Sequence, residues 1–369
     1  MTSTLDPSCG PAPVVDAGPG TLYPLHPLED PRWGRLVERH PHSSAFHTVA
    51  WLEALRQTYG YQPVAFTTAP PSAELSDGVV LCRVGGPITG RRLISLPFSD
   101  HCEVLPDLRT GGDALVSALR RTLRGESVRY VELRSKCALP SGIGPNDSTE
   151  QYCFHSLDLR PDLAALFHGC HKACTQRKIT RAEREGLVCR TGRSEDLLEA
   201  FWGLFLMTRR RHGVPPQPKK WFHNLIHSFG DALNIRVAFK DDQPAAAILT
   251  LRHKDVLMYK YGCSDTRFNS LGGTQLLFWN AIQEGKREGM REFDLGRSDL
   301  ANTGLILFKD RLGGARSMMT YQRCYQSPPA RFTGAKAAGW ALLASNAIVP
   351  YLSDGALSLV GSALYRYFA

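Results

Sequence analysis

The stretch from Leu257 to Gly314, where the apolar spacing changes from a strand's to a helix's, organises the chain. Leu257, Tyr259 and Tyr261 alternate with Met258, Lys260 and Gly262, the period of two that a strand requires. Gly272 and Gly273 follow, and the apolar spacing then lengthens to that of a helix over residues 274–288. A strand, REFDLG, comes next, and then a short helix within LANTGLILFKDRLGG. Strand, glycine turn, helix, strand and short helix are therefore expected in that order.

The same reading extends to both sides. Trp51, Leu52, Leu55 and Tyr59 lie at helical spacing, with Gly60 placed to end that helix. Three strand-like runs follow, at 63–68, 78–84 and 93–98, then a helix at 113–123 and a strand at 128–134. The turn-rich stretch 138–151 is the expected domain boundary. Beyond it come a strand, CFHSLDL, a long basic helix over 162–185, a helix over 195–212 and another over 221–229. Strands at 234–240, 245–252 and 256–263 then lead to the helix at 274–288 and a strand at 292–296. Each half thus reads three strands, a helix and a strand. That predicts an α/β fold with a mixed sheet, built from two tandem copies of one unit, over 21–150 and 151–326. Residues 1–20, rich in Pro, Gly and Ala, are expected to lack fixed structure. Residues 327–369 read as a helical tail, either packed on the body or resting on the inner membrane face.

Composition narrows the classes. A chain of 369 residues with 43% hydrophobic and 21% charged residues has material for two cores. The net charge of +9 favours anionic partners, such as nucleotide phosphates, RNA or an anionic membrane face. Ten irregularly spaced cysteines are not a disulfide scaffold, and the first 20 residues have no basic start followed by an apolar core. A reducing cytoplasm fits. No apolar run reaches the roughly 18 residues of a spanning helix.

Several groups of residues carry chemistry. First-turn N–H groups of a helix lack partners within it, and the dipole is positive there. The Gly272–Gly273 turn before a helix therefore suggests a phosphate seat. Neither the dinucleotide nor the P-loop glycine pattern is present. Arg177, Arg181 and Arg184 share one helix face with Lys178 beside it, either a solvated face or a pyrophosphate clamp. Asp100, His101, Glu132 and Arg134 each follow a predicted strand, where a carboxylate or imidazole could take a proton from an amine. Pairing of Glu132 with Arg134 and capping by Asp100 are the structural alternatives. Asp294, Arg297 and Lys309 gather at another strand end, where an ammonium could stabilise an oxyanion or a leaving phosphate. HGCHKAC at 168–174 has the composition of a metal site but no second paired cluster nearby, so no metal is expected.

Taken together, FHTVAWLEAL, LPFSDH, TQRKITRAEREG, TRRRHGVPPQP and FDLGRSD followed by GLILFKDRLGG resemble the FemAB-like acyltransferases. These are two-domain proteins of GNAT-like fold, related to the BioF2-like acetyltransferase domain. The likeness spans about residues 40–325 and points to a subset associated with exopolysaccharide and exosortase systems. It implies two tandem GNAT-like domains and acyl transfer to an amine of a cell-envelope or polysaccharide precursor. The co-substrate would be acyl-CoA or aminoacyl-tRNA, with no tightly bound cofactor. A peptidoglycan-precursor ligase using aminoacyl-tRNA, or a non-catalytic binding protein, are the alternatives. By motif, Lys309 matches the lysine proposed to stabilise the reacting group. Arg177, Lys178 and Arg181 would sit near acceptor phosphates. The turn from Asn269 through Gly272 and Gly273 to Thr274 would hold pyrophosphate, although it departs from the usual Q/R-x-x-G-x-G/A pattern at its first and last positions. Arg297 and Tyr261 join the binding set, and Asp294, Asp100 and Glu132 are the candidate bases. No long helical hairpin of the kind some tRNA-using members carry is present.

Overall fold

The computed structural model describes residues 21–85, 90–109, 113–123, 128–136, 147–325 and 352–365. In the first half, β1 (Tyr23–Leu25), α1 (Pro31–Arg39) and α2 (Val49–Tyr59) precede β2 (Gln62–Thr67), β3 (Val79–Val84) and β4 (Arg92–Ile94). Helix α3 (Asp113–Leu123) and β5 (Tyr130–Ser135) complete it. The second half begins with β6 (Ser148–Asp158), α4 (Leu163–Gly169), α5 (Arg177–Arg184), β7 (Val188–Gly192), α6 (Glu195–Arg211) and α7 (Lys219–Phe229). It continues through β8 (Leu233–Lys240), β9 (Gln243–His253), β10 (Val256–Ser264), α8 (Gly273–Arg287), β11 (Glu292–Asp299), α9 (Thr303–Arg311) and β12 (Ala315–Tyr325). A final helix, α10, covers Asp354–Tyr365.

The twelve strands of the described residues join one sheet, in the order β1-β2-β3-β4-β5-β12-β6-β11-β10-β9-β8-β7. The two halves repeat one pattern. In the first, β2, β3 and β4 are antiparallel neighbours and α3 crosses to β5, which pairs parallel with β4. In the second, β8, β9 and β10 are antiparallel, and α8 crosses to β11, parallel to β10. The fold is therefore mixed α/β with two tandem copies of one unit. Strand β12 pairs antiparallel with both β5 and β6, so the end of the second half seals the seam to the first.

Local chemistry sets the helix ends. Thr48 accepts the Trp51 N–H to start α2, and Gly60 ends it at φ 72°. Ser194 caps α6, with Glu195 and Asp196 in its first turn and Arg209, Arg210 and Arg211 in its last, as the helix dipole prefers. One core packs α1 and α2 against α6, α7 and the strands β8 to β10, and so ties the halves together. At its centre the Trp51 and Trp221 rings meet edge to face, 5.1 Å apart. On the opposite sheet face α8 and α5 cover the second half, and α3 covers the first.

Four expectations are corrected. The strand at 93–98 stops at Ile94, because Leu96 and Phe98 turn left-handed at φ 62° and 61°. The long basic helix breaks after Gly169. Cys170 is extended there, and His171 restarts the chain by accepting the Cys174 N–H on its ring Nδ1. Strand β6 begins at Ser148, inside the expected 138–151 connection; residues 137–146 lie outside the described ones. Elements α1, β1, β7 and β12 were not foreseen. The calls on residues 1–20 and 326–351 also lie outside the described residues. The described part of the tail is docked: Leu357 is fully buried beside Leu206, and the Tyr365 hydroxyl donates to the Pro215 carbonyl at 2.9 Å. No helix among the described residues is long and apolar enough to cross a membrane.

Candidate active site

After β4 the first half does not continue along β5 but crosses toward the second half. The Ser95 N–H donates to the Glu132 carbonyl at 2.7 Å, and the left-handed turns at Leu96 and Phe98 redirect the chain. The buried Arg134 guanidinium staples this segment. It donates to the Leu96 and Ser99 carbonyls, each at 2.9 Å, and pairs with Glu132 at 2.8 Å. Asp100 and His101 are thereby delivered to the centre of β10 and β11.

There His101 Nε2 lies 2.7 Å from Asp294 Oδ2, with both side chains sealed from solvent. The other Asp294 oxygen accepts the Gly296 N–H at 2.7 Å. Burial alone would raise the Asp294 carboxyl. The His101 and Lys136 charges and the Gly296 N–H outweigh it and hold Asp294 below the usual carboxylate range. His101 Nδ1 is buried and, among the described residues, has no hydrogen-bond partner. Asp100 Oδ2 lies 3.2 Å from Lys260 Nζ. That ammonium is enclosed by the Phe46, Tyr261 and Trp51 rings, with centroids at 5.4, 5.4 and 5.9 Å. Burial pulls Lys260 down, against the Asp100 charge.

Strands β10 and β11 pair only from Val256–Met258 to Glu292–Asp294 and then part. A bulge takes Lys260 out of register with β9, and an irregularity between Asp294 and Arg297 bends β11 away. Gly296 adopts φ 72°, and a Cβ there would stand 3.0 Å from Asp100 Oδ2, so the site admits only glycine comfortably. Lys309, on α9, reaches under this bend. Its Nζ donates to the Gly296 and Arg297 carbonyls, each at 2.9 Å. Burial lowers its pKa to about 8, although Asp100 and Asp294 oppose the shift.

The remaining predicted residues fall in three groups. Asp294, Asp100, Lys309 and Arg297 converge at the parting strands. The Arg297 guanidinium lies over the Tyr152 and Tyr321 rings at 4.3 and 5.1 Å, and its Nε has no acceptor among the described residues. A second group sits at the start of α8. Gly272 is left-handed at φ 86° and packs against α5 so closely that a Cβ would collide with the Lys178 carbonyl oxygen. The glycine turn and the basic helix are therefore neighbours. Arg177 and Arg181 face solvent beside them, Asn269 is exposed, and Thr274 and Lys178 are half-buried. Gly273 is buried, and the first turn of α8 has no side-chain cap. The third group has structural tasks. Glu132 is buried between Arg134 and Arg323, the latter at 2.7 Å, with both carboxylate oxygens engaged, so as a base it is already spent. The Tyr261 hydroxyl accepts the Trp221 indole N–H at 2.9 Å inside the core. Lys260 was not singled out from the sequence, although a lysine among Tyr259, Tyr261 and Met258 on a buried strand is itself a signal.

Residues 171–302 match the acetyltransferase (GNAT) domain family. No curated protein matches the chain. Among solved structures, FemX is similar at a TM-score of 0.61 and 12% identity, over 81% of this chain and 96% of its own. A tandem GNAT protein from the clavulanic acid biosynthesis pathway is similar at 0.51 and 14% identity, over 84% and 99%. The C-terminal domain of a candidate lysylphosphatidylglycerol synthetase from Agrobacterium fabrum is similar at 0.50 and 14% identity, over 90% and 95%. Residues 171–302 therefore form a GNAT acetyltransferase domain, and with the same pattern of strand pairing in its first half the chain has the two-unit fold it shares with FemX and the tandem GNAT protein.

Proposed function

We propose that the protein moves an acyl or aminoacyl group, with acyl-CoA the favoured donor, to an amine of a cell-envelope or polysaccharide-related acceptor. The observation that carries this reading is the parting of β10 and β11 beside the paired Asp294 and His101. A gap between two parallel strands accepts an extended donor arm along its edges, because each strand there offers main-chain groups no longer used in the ladder. The donor's phosphates would lie on the uncapped start of α8, flanked by Arg177 and Arg181 of α5.

In this reading the amine nitrogen attacks the thioester carbonyl carbon. A C–N bond forms, the C–S bond breaks, and the amine proton passes to His101 Nδ1. Asp294 holds the opposite ring nitrogen and stabilises the imidazolium. The proton then returns to the departing thiolate, so amine and thioester become amide and thiol. The transient oxyanion is met by main-chain N–H groups of the bulged β10, with the Lys309 ammonium contributing from beneath the Gly296 and Arg297 peptides.

A donor screen read by mass spectrometry tests this. Acyl-CoA with an amine should give an amide and free CoA. Transfer only from a charged tRNA, abolished by RNase, would replace the CoA reading with the aminoacyl-tRNA ligase. No transfer from any activated donor would refute the catalytic reading.

A further inference from the structure

On the sheet face opposite α8, between the two halves, lies a cavity of about 230 Å³. Glu103, Lys136 and His101 line it from the first half, and His253, Glu292 and Asp294 from the second. Along β11, Phe293 and Leu295 point into the α8 core, so Glu292 and Asp294 necessarily face the other way.

Most of these polar groups are already engaged. Glu103 accepts the Ser135 hydroxyl at 2.6 Å and the Lys136 N–H at 2.7 Å. His253 Nε2 sits 2.9 Å from the Ser43 hydroxyl. Asp294 is held by His101 and Gly296. The Lys136 ammonium lies over the Phe154 ring at 5.4 Å, and two further groups lack a polar partner among the described residues. His101 is 1% exposed, and its Nδ1 has no partner among the described residues. Glu292 is half-buried, and among the described residues no hydrogen bond or ion pair reaches its carboxylate. Burial raises the Glu292 carboxyl, with the Lys136 charge opposing. A carboxylate drawn out of water without a counter-ion is costly, and an arriving cation removes that cost. Three carboxylates against the single Lys136 ammonium give the cavity a preference for positive charge. Its size is below the ~300 Å³ or more usual for a drug-sized ligand and suits a small one.

We infer that this cavity is the seat for the ammonium end of a short aliphatic amine, with Glu292 as its counter-ion and His101 as the neighbour that faces its nitrogen. The amine's fate rests on the acyl-transfer reading; its binding does not. The seat lies on the opposite face of the sheet from α8, so amine and donor approach the Asp294–His101 pair from different directions.

The test is calorimetric titration of the full chain, without any acyl donor, using n-butylamine, 1,4-diaminobutane and the neutral analogue n-butanol. Both amines should bind and butanol should not. Glu292→Gln should weaken amine binding at least tenfold, and Glu292→Lys should abolish it, with both variants melting near the wild type. Equal binding of butanol and butylamine, no binding of either amine, or unchanged affinity in a folded Glu292→Gln would overturn the inference. Amine binding that responds to Glu292 in a protein that acylates nothing would uphold the seat and refute the catalytic reading alone.

Discussion

Replacing Lys309 by Met removes a buried ammonium while keeping the length of the side chain. Lys309 is 2% exposed, and burial takes its pKa from the ordinary 10.5 to about 8. That fall corresponds to roughly 3 kcal/mol by which the fold disfavours the charged form. Below pH 8 the group is protonated in both folded and unfolded chains, and that penalty is fully present. As pH rises from about 8 toward 10.5 the folded protein gives up the proton first, the unfolded chain binds more protons, and stability increases. By about pH 9.5 the wild type should have gained about 2 kcal/mol relative to Lys309→Met. Losing the two donated hydrogen bonds offsets the removed penalty near neutrality, so the slope rather than the level carries the information. Urea unfolding of both proteins from pH 7 to 10 measures it. Parallel curves would refute the buried-ammonium account. If the charge also stabilises the oxyanion, turnover of the wild type should fall over the same rise in pH, and Lys309→Ala should lower turnover while the protein remains folded.

Three further outcomes follow from the same contacts. Glu132→Gln leaves Arg134 and Arg323 short of their shared anion and should cost about 3–5 kcal/mol in chemical denaturation; a loss below ~1 kcal/mol would contradict the clamp. Gly272→Ala forces a side chain into the left-handed region and against the α5 backbone, so it should cost at least about 1–3 kcal/mol by melting, and an unchanged transition would show that α5 yields. Asp294→Asn removes the anion that orients His101 and would stabilise its imidazolium during transfer, so kcat should drop on the order of 10²-fold with acyl-CoA affinity unchanged; equal losses in both would make the pair a binding element.

The second half was legible because its signals are local. The alternation of Leu257, Tyr259 and Tyr261 marks β10, and the glycine pair marks the start of α8. Strand β12 was missed because ARSMMTYQRCY reads as polar at its start; its partners on both sides supply what its own side chains do not. The run RLISLPF looked like one strand, but Leu96 and Phe98 adopt a backbone that neither residue prefers, and that turn carries Asp100 and His101 across the molecule. The pairing of His101 with Asp294 joins residues 193 positions apart, and no spacing rule reaches that far. Gly272 read as a phosphate seat for its freedom of approach; the approach found is that of the Lys178 backbone, which sets the basic helix beside the start of α8.

The account turns on whether donor phosphates bind between the start of α8 and the basic face of α5. Equilibrium titration with acetyl-CoA and with S-acetylpantetheine, which shares the thioester arm but lacks the phosphates, tests this most directly. Acetyl-CoA should bind at least tenfold more tightly, and Arg177→Glu with Arg181→Glu should erase most of that difference. Equal affinity for the two thioesters, or an advantage untouched by the charge reversals, would contradict it.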